Sequence, residues 1–204
     1  MSRIHTMYIS RCNEQHSDIN EHLPTLRMYT LESTHVTECG VRGGCSSYAF
    51  ADGLRNRPGT KLVQIDIEYH PRMGEFIEIS KSEGLDVSLN IISDIKCNRE
   101  QTDLLFIDTW HVYGHLKREF DYWHSYVNKY IILHDTTIDE WDGESVRCKM
   151  DINKQSADSG IPIPEIQKGL WPAVEEFLAE HSEWTLHERF TNNNGLTVLK
   201  RKAS

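Results

Sequence analysis

Apolar residues recur along this chain at two spacings, one suited to helices and one to strands. Ile19, Leu23, Leu26 and Leu31 are three to five apart, which predicts a helix over Asp18–Leu31 with Pro24 near its start. Residues 1–33 as a whole read as a helical segment. His35-Val-Thr-Glu-Cys-Gly then reads as a short strand that runs into glycine, and Ser46–Leu54 as a helix closed by Asn56 to Gly59. Lys61–Ile67 is a β-branched strand, Met73–Glu83 a helix capped by Gly84, and Val87–Ile92 a third strand. Asp103–Asp108 is a fourth strand that ends on an acid. Tyr113–Val127 places Leu116, Phe120, Trp123 and Val127 on one helical face, and Tyr130-Ile-Ile-Leu is a fifth strand.

Thr136–Gln167 has no clear period and is long for a loop in a compact domain. It reads as a functional loop, a lid or a substrate-binding insertion covering 136–168. Leu170–Glu180 is a helix with Pro172 in its first turn, and Trp184–Phe190 and Leu196–Lys200 are two closing strands joined by Thr-Asn-Asn-Asn-Gly. Five alternations of strand and helix predict an α/β domain with a parallel sheet covered on both faces. The terminal hairpin makes the last strand antiparallel. Ligands in such sheets sit beyond the carboxyl ends of the strands, where strand order reverses.

The totals narrow the field. A length of 204 residues suits one domain over 1–204, and no apolar run exceeds four residues, so no membrane span is expected. The opening MSRIHTMYISRCNEQ has no apolar core, which argues against a signal peptide and for the cytoplasm. The 22 basic and 31 acidic residues give −9, which repels nucleic acid. Cys12, Cys39, Cys45, Cys97 and Cys148 form no C-x-x-C pair and read as reduced thiols, each a small core residue. The sequence leaves homo-oligomerisation open.

The chemistry lies at strand ends. Glu38-Cys-Gly40-Val-Arg42-Gly-Gly44-Cys-Ser46 is a glycine-rich turn in which Gly40 permits the bend, Gly43 and Gly44 admit a ligand, and Ser46 can cap the helix. It matches neither the phosphate-loop nor the G-x-G-x-x-G pattern. Asp66 ends the second strand, where a carboxylate can accept from two ribose hydroxyls; a surface acid is the bland alternative. Asp108-Thr-Trp-His111 and His134-Asp135 end the fourth and fifth strands. If those strands are neighbours, Asp108 and Asp135 share one cleft and repel unless a cation bridges them. Mg²⁺ or Mn²⁺ suits such oxygen ligands. His111 can accept a proton near neutrality. His115 and His124 lie on the following helix and carry no assigned chemistry.

Together these residues resemble the class I S-adenosylmethionine (SAM)-dependent methyltransferases. Glu38, Gly40 and Gly44 match their E-x-G-x-x-x-G turn, Asp66 their acid after strand two, and Ser93-Asp94 the segment that borders adenine. The resemblance implies a Rossmann-like three-layer sandwich with a seven-stranded sheet. It makes Glu38, Gly40, Arg42, Gly44, Ser46, Asp66, Ser93, Asp94 and Asp108 cofactor-binding residues. Gly169-Leu-Trp-Pro-Ala-Val-Glu-Glu-Phe and Asn194-Gly-Leu-Thr-Val-Leu look like a subgroup that holds macrolide-sugar O-methyltransferases and cephalosporin-hydroxylase-like proteins. Asp108-Thr-Trp-His111 is similar to the D-x-x-K element of catechol enzymes and closer to the D-x-x-H element of sugar enzymes. Carried over, Asp108 and Asp135 are metal ligands, His111 is the base, and His134 stands where the sugar enzymes keep a third carboxylate ligand. The implied acceptor is a sugar or glycan hydroxyl, a deoxysugar such as rhamnose. The alternatives are a catechol-type hydroxyl, another chemistry on this fold such as a hydroxylase partner, and a non-catalytic SAM-binding module. More loosely, the chain resembles the methyltransferase module of large glycan-building proteins of giant algal viruses, which implies a larger multidomain context.

Overall fold

The computed structural model describes residues 2–203. Seven strands form one sheet: β1 (His35–Cys39), β2 (Lys61–Asp66), β3 (Asp86–Ile91), β4 (Thr102–Ile107), β5 (Val127–His134), β6 (Trp184–Phe190) and β7 (Leu196–Arg201). Their spatial order is β3-β2-β1-β4-β5-β7-β6. Only β7 runs against the rest, since it pairs antiparallel with both β5 and β6. The chain moves outward from β1 to β3 and then returns to place β4 on the other side of β1. The order therefore reverses between β1 and β4, whose ends open a crevice.

The two faces are packed by different helices. One carries α1 (Arg3–Cys12), α2 (Leu23–Leu31), α3 (Cys45–Leu54) and α4 (Arg72–Ser82), which bury Ile4, Leu26, Phe50 and Phe76 against Val36, Leu62, Leu104 and Phe106. The other carries α5 (Tyr113–Trp123) and α9 (Trp171–Glu180), and α6 (Glu144–Arg147), α7 (Ile152–Ser159) and α8 (Ile163–Gln167) lie between them in the chain. Phe120 of α5 stacks on Phe177 of α9, ring centres 4.2 Å apart, and both cover Leu105 and Ile107. Leu104–Ile107 is thus an unbroken apolar run because alternate side chains enter opposite cores. The three-layer architecture and antiparallel end agree with the sequence pattern.

Some boundaries differ. Asp18–Leu31 is not one helix: a 3-10 turn over Asn20–His22 precedes α2, which starts with Pro24 in its first turn, where the missing N–H costs nothing. Helix α5 stops at Trp123, a second 3-10 turn covers His124–Tyr126, and Val127 belongs to β5 instead. The aperiodic 136–168 stretch holds three short helices joined by turns, each too brief to show a period. Cys39 and Cys97 are buried, but Cys148 is exposed and so is no core residue. Among the described residues, no helix is long and apolar enough to cross a membrane.

Candidate active site

The turn after β1 is shaped by contact with β4. Gly40 has φ +82°, and a Cβ there would stand 1.9 Å from the Asp108 carbonyl oxygen. Its N–H donates to the Ile65 carbonyl at 3.0 Å, and the Asp108 N–H to that of Cys39 at 2.9 Å. The glycine turn, the end of β2 and the end of β4 are therefore one hydrogen-bonded unit. Gly44, φ +75°, is the residue that caps α3. Ser46 is not the cap expected of it: its hydroxyl donates to Glu38 at 2.5 Å.

Glu38 is fully buried and also accepts from Ser47 (2.8 Å) and Gln64 (2.7 Å). Burial pushes its carboxyl up to about 7, despite the three donors. Between pH 4.5 and 7 the folded state therefore holds more of this proton than the unfolded state, so stability falls as pH rises through that window. Glu38→Gln should flatten this slope and be the more stable form above pH 7, by up to about 3 kcal/mol. Urea melts of both proteins at pH 5 and pH 8 check this; an unchanged slope would clear Glu38 of the effect.

Asp66 closes the turn from the other side. Its Oδ2 accepts from the N–H groups of Val41 and Arg42, both at 2.8 Å, and its Oδ1 from Glu68 at 3.0 Å. Arg42 holds φ +45°, a left-handed conformation for a residue with a side chain. Asp66 is thus both a turn-former and a half-exposed acceptor with lone-pair capacity to spare.

Across the crevice, β4 and β5 pair in parallel with Ile107 beside Leu133, so the residues that follow meet. His111 Nε2 lies 3.2 Å from Asp108 Oδ1 and 3.2 Å from Asp135 Oδ2. Its Nδ1 faces two acids that the sequence reading missed, Glu144 at 3.1 Å and Asp139 at 3.4 Å. Both come from the stretch without periodicity, where no pattern marked them. Asp139 is fully buried and is gripped by Arg147 at 2.6 and 2.8 Å. Burial alone would lower the His111 basicity, but the bond to Asp108 and the nearby carboxylates of Asp139, Glu144 and Asp135 outweigh burial and raise it well above the usual range.

His134 is buried beside the same acids, Nδ1 3.3 Å from both Asp108 and Asp135. Its Nε2 points away, at the carbonyls of Asp18 (3.1 Å) and Asn193 (3.3 Å). Burial would lower its basicity, but the charge of Asp108 and bonds to both acids raise it to about 10. A ring whose far nitrogen donates to a backbone carbonyl offers its near nitrogen to a metal or a proton. Asp135 has φ +57°, and its buried Oδ1 has no partner. Left-handed backbone at a buried acid is the kind of strain that clusters at functional sites. Asp108, Asp135 and His134 thus have the donor set for a divalent cation, with an unpaired carboxylate oxygen to accept it.

Asp94 stands apart from this cluster. It is buried, 3.5 Å from His115 Nε2, which is itself 3.7 Å from Glu119. Thr109 donates to Glu119 at 2.6 Å, and the Trp123 indole to the Asp94 carbonyl at 3.1 Å. Burial and the nearby Asp94 charge keep the Glu119 carboxyl protonated well above the usual range. His115 is therefore part of a buried polar group rather than a bystander. Ser93 lies next to it, with its hydroxyl 3.5 Å from Asp94 Oδ1.

Residues 37–136 match the model of a family described as a methyltransferase domain. No curated protein is similar enough to the chain to count as a relative. Among solved structures, the fold is similar to a putative O-methyltransferase from Klebsiella pneumoniae, with TM-score 0.61 and 13% identity over 98% of this chain and 89% of that one. An O-methyltransferase from Bacillus cereus in complex with S-adenosylhomocysteine gives 0.58 and 15% over 98% and 89%. The N-methyltransferase NodS from Bradyrhizobium japonicum gives 0.55 and 15% over 91% and 97%. At these identities the likeness establishes the fold, and the accepting atom has to be argued from the site.

Proposed function

We propose that this chain, which carries a methyltransferase domain on the class I SAM-dependent fold, moves the methyl group of SAM to a hydroxyl of a sugar or glycan. The observation that carries this reading is the convergence of His111 Nε2, Asp108 and Asp135 at one point, with all donor atoms within 4.8 Å, beside the Gly40 turn. When bound, SAM supplies a methyl carbon already activated on a sulfonium, and a divalent cation on Asp108, Asp135 and His134 supplies Lewis acidity toward the hydroxyl.

The chain's own residues supply position and a proton acceptor. The turn Glu38–Ser46 receives the methionine end, with Asp66 toward the ribose and the Ser93-Asp94 segment toward the adenine. Fixing two reactants together contributes roughly 7–11 kcal/mol to such a transfer. His111 Nε2 takes the hydroxyl proton, and the carboxylates of Glu144 and Asp139 face the opposite nitrogen. The stretch 136–168 forms the roof over the acceptor. A sugar hydroxyl is a very weak acid, which is why a placed base and a Lewis acid matter more here than for a phenol.

Calorimetry with S-adenosylhomocysteine tests the cofactor half, with micromolar affinity expected, on the order of −8 kcal/mol. Asp66→Ala should weaken it by roughly 1–3 kcal/mol. No heat at millimolar ligand would remove the reading altogether. Mn²⁺ titration tests the cation half: Asp108→Asn should abolish binding, whereas tight binding that survives both Asp108→Asn and Asp135→Asn would place the ion elsewhere. A panel of deoxysugar glycosides and catechols then decides the acceptor. Turnover confined to catechols would overturn the sugar assignment and leave the methyltransferase.

A further inference from the structure

A second group of ligand-type side chains lies at the other end of the sheet. The candidate active site occupies the carboxyl ends of β1, β4 and β5. His124 opens the 3-10 turn that leads into β5, and Glu183 directly precedes β6, which runs parallel to β5. His181 caps the last turn of α9. These three residues therefore gather where α5, α9 and β6 meet, far along the strands from Asp108.

Their geometry is that of a prepared metal site. His181 Nδ1 is 3.3 Å from Glu183 Oε1, and His124 Nδ1 is 3.9 Å from the same oxygen. One donor atom from each residue lies within 4.8 Å of the other two. The two imidazoles sit 4.2 Å apart, ring centre to ring centre, and both lean on Phe177, at 6.0 and 4.6 Å. That aromatic backing fixes the rings before any ligand arrives. The His124 Nδ1 atom is enclosed and has no hydrogen-bond partner, so it is open to a ligand. Arg201 is close, but its guanidinium is directed to the His124 carbonyl at 2.9 Å and over the Trp184 ring.

We propose that His124, His181 and Glu183 form a second, structural metal site that takes Zn²⁺ or a similar transition-metal dication. Two imidazoles and one carboxylate suit such ions rather than Mg²⁺ or Ca²⁺. The side chains of all three are partly open to solvent, so water can complete a four-coordinate ion. The bound ion clips α5 and α9 to β6 at the base of the sheet. It needs none of the residues assigned to methyl transfer.

The test is a ZnCl₂ titration of protein first dialysed against EDTA, in millimolar Mg²⁺ to fill oxygen-rich sites. We expect a Kd on the order of 1 μM, about −8 kcal/mol, and a rise in melting temperature. His124→Ala and His181→Ala should each weaken Zn²⁺ at least tenfold, and Glu183→Gln severalfold, while Asp108→Asn binds as tightly as the wild type at this site. Co²⁺ should give a visible ligand-field spectrum that His181→Ala loses. A Kd weaker than about 100 μM, binding indifferent to both histidine variants, or binding lost in Asp108→Asn would each overturn the site.

Discussion

Replacing His111 by alanine lowers methyl transfer about 10²–10⁴-fold and leaves S-adenosylhomocysteine affinity nearly intact, if Nε2 is the proton acceptor. The structure adds a complication to this expectation. His111 is the shared partner of Asp108, Asp135, Asp139 and Glu144. Its removal leaves Glu144 without its cationic neighbour and leaves Asp108 and Asp135 with His134 alone, so His111→Ala should also lose stability. His111→Gln separates the two effects. Its amide can still donate to the acids but accepts no proton at useful pH, so it should regain part of the lost melting temperature and none of the turnover. The rate should rise with pH, because only neutral imidazole accepts, and the surrounding acids favour the charged ring. Turnover above about a third of wild type in a folded His111→Ala protein, far short of the general-base range, would mean that the proton leaves by another route.

The second large effect is expected at Gly40. An alanine there must keep φ +82° and place its Cβ 1.9 Å from the Asp108 carbonyl oxygen and 2.5 Å from the carbonyl carbon. Backbone, not a flexible side-chain end, lies in the way. Left-handed strain costs roughly 1–3 kcal/mol and overpacking about 1–3 kcal/mol more. The structure can escape only by pushing the ends of β1 and β4 apart. That movement carries Asp108 away from His111 and His134, so cofactor affinity and cation affinity should fall together, at least tenfold each. A Gly44→Ala control meets the Met73 sulfur at 3.0 Å, which a thioether can yield to more readily. Thermal melts with calorimetry on both variants check this. Gly40→Ala binding within threefold of wild type would show that the contact between turn and strand does not set the site.

The strand ends were legible in the sequence because they obey period and chemistry together. A β-branched or apolar run that stops on Glu38, Asp66, Asp108 or His134-Asp135 announces both a strand and what stands at its mouth. The acids around His111 were not legible. Asp139 and Glu144 lie in a stretch whose helices are one to two turns long, and their partner is 28 to 33 positions away. The role of Ser46 was misread for a related reason. A serine before a helix suggests a cap, but a fully buried Glu38 eight residues earlier competes for the hydroxyl and wins. In the sequence His115 has only Glu119 one turn along α5 as a neighbour, and Asp94 reaches it only after α5 packs on the sheet.

The bond from His134 to Asp18 and Asn193 has a consequence for assembly. Those partners are 116 and 59 residues away in sequence. Strands β1 to β5 can pair as the chain lengthens, and with them the glycine turn and Asp108 come together from contacts among the first 134 residues. The imidazole of His134, however, is aimed only when the opening segment has docked and the final hairpin has closed beside β5. Long loop closures of this kind are slow and come late. The aim of the His134 ring therefore depends on two segments that the glycine turn and Asp108 do not need, and a variant that loosens either one should disturb His134 while leaving the turn intact.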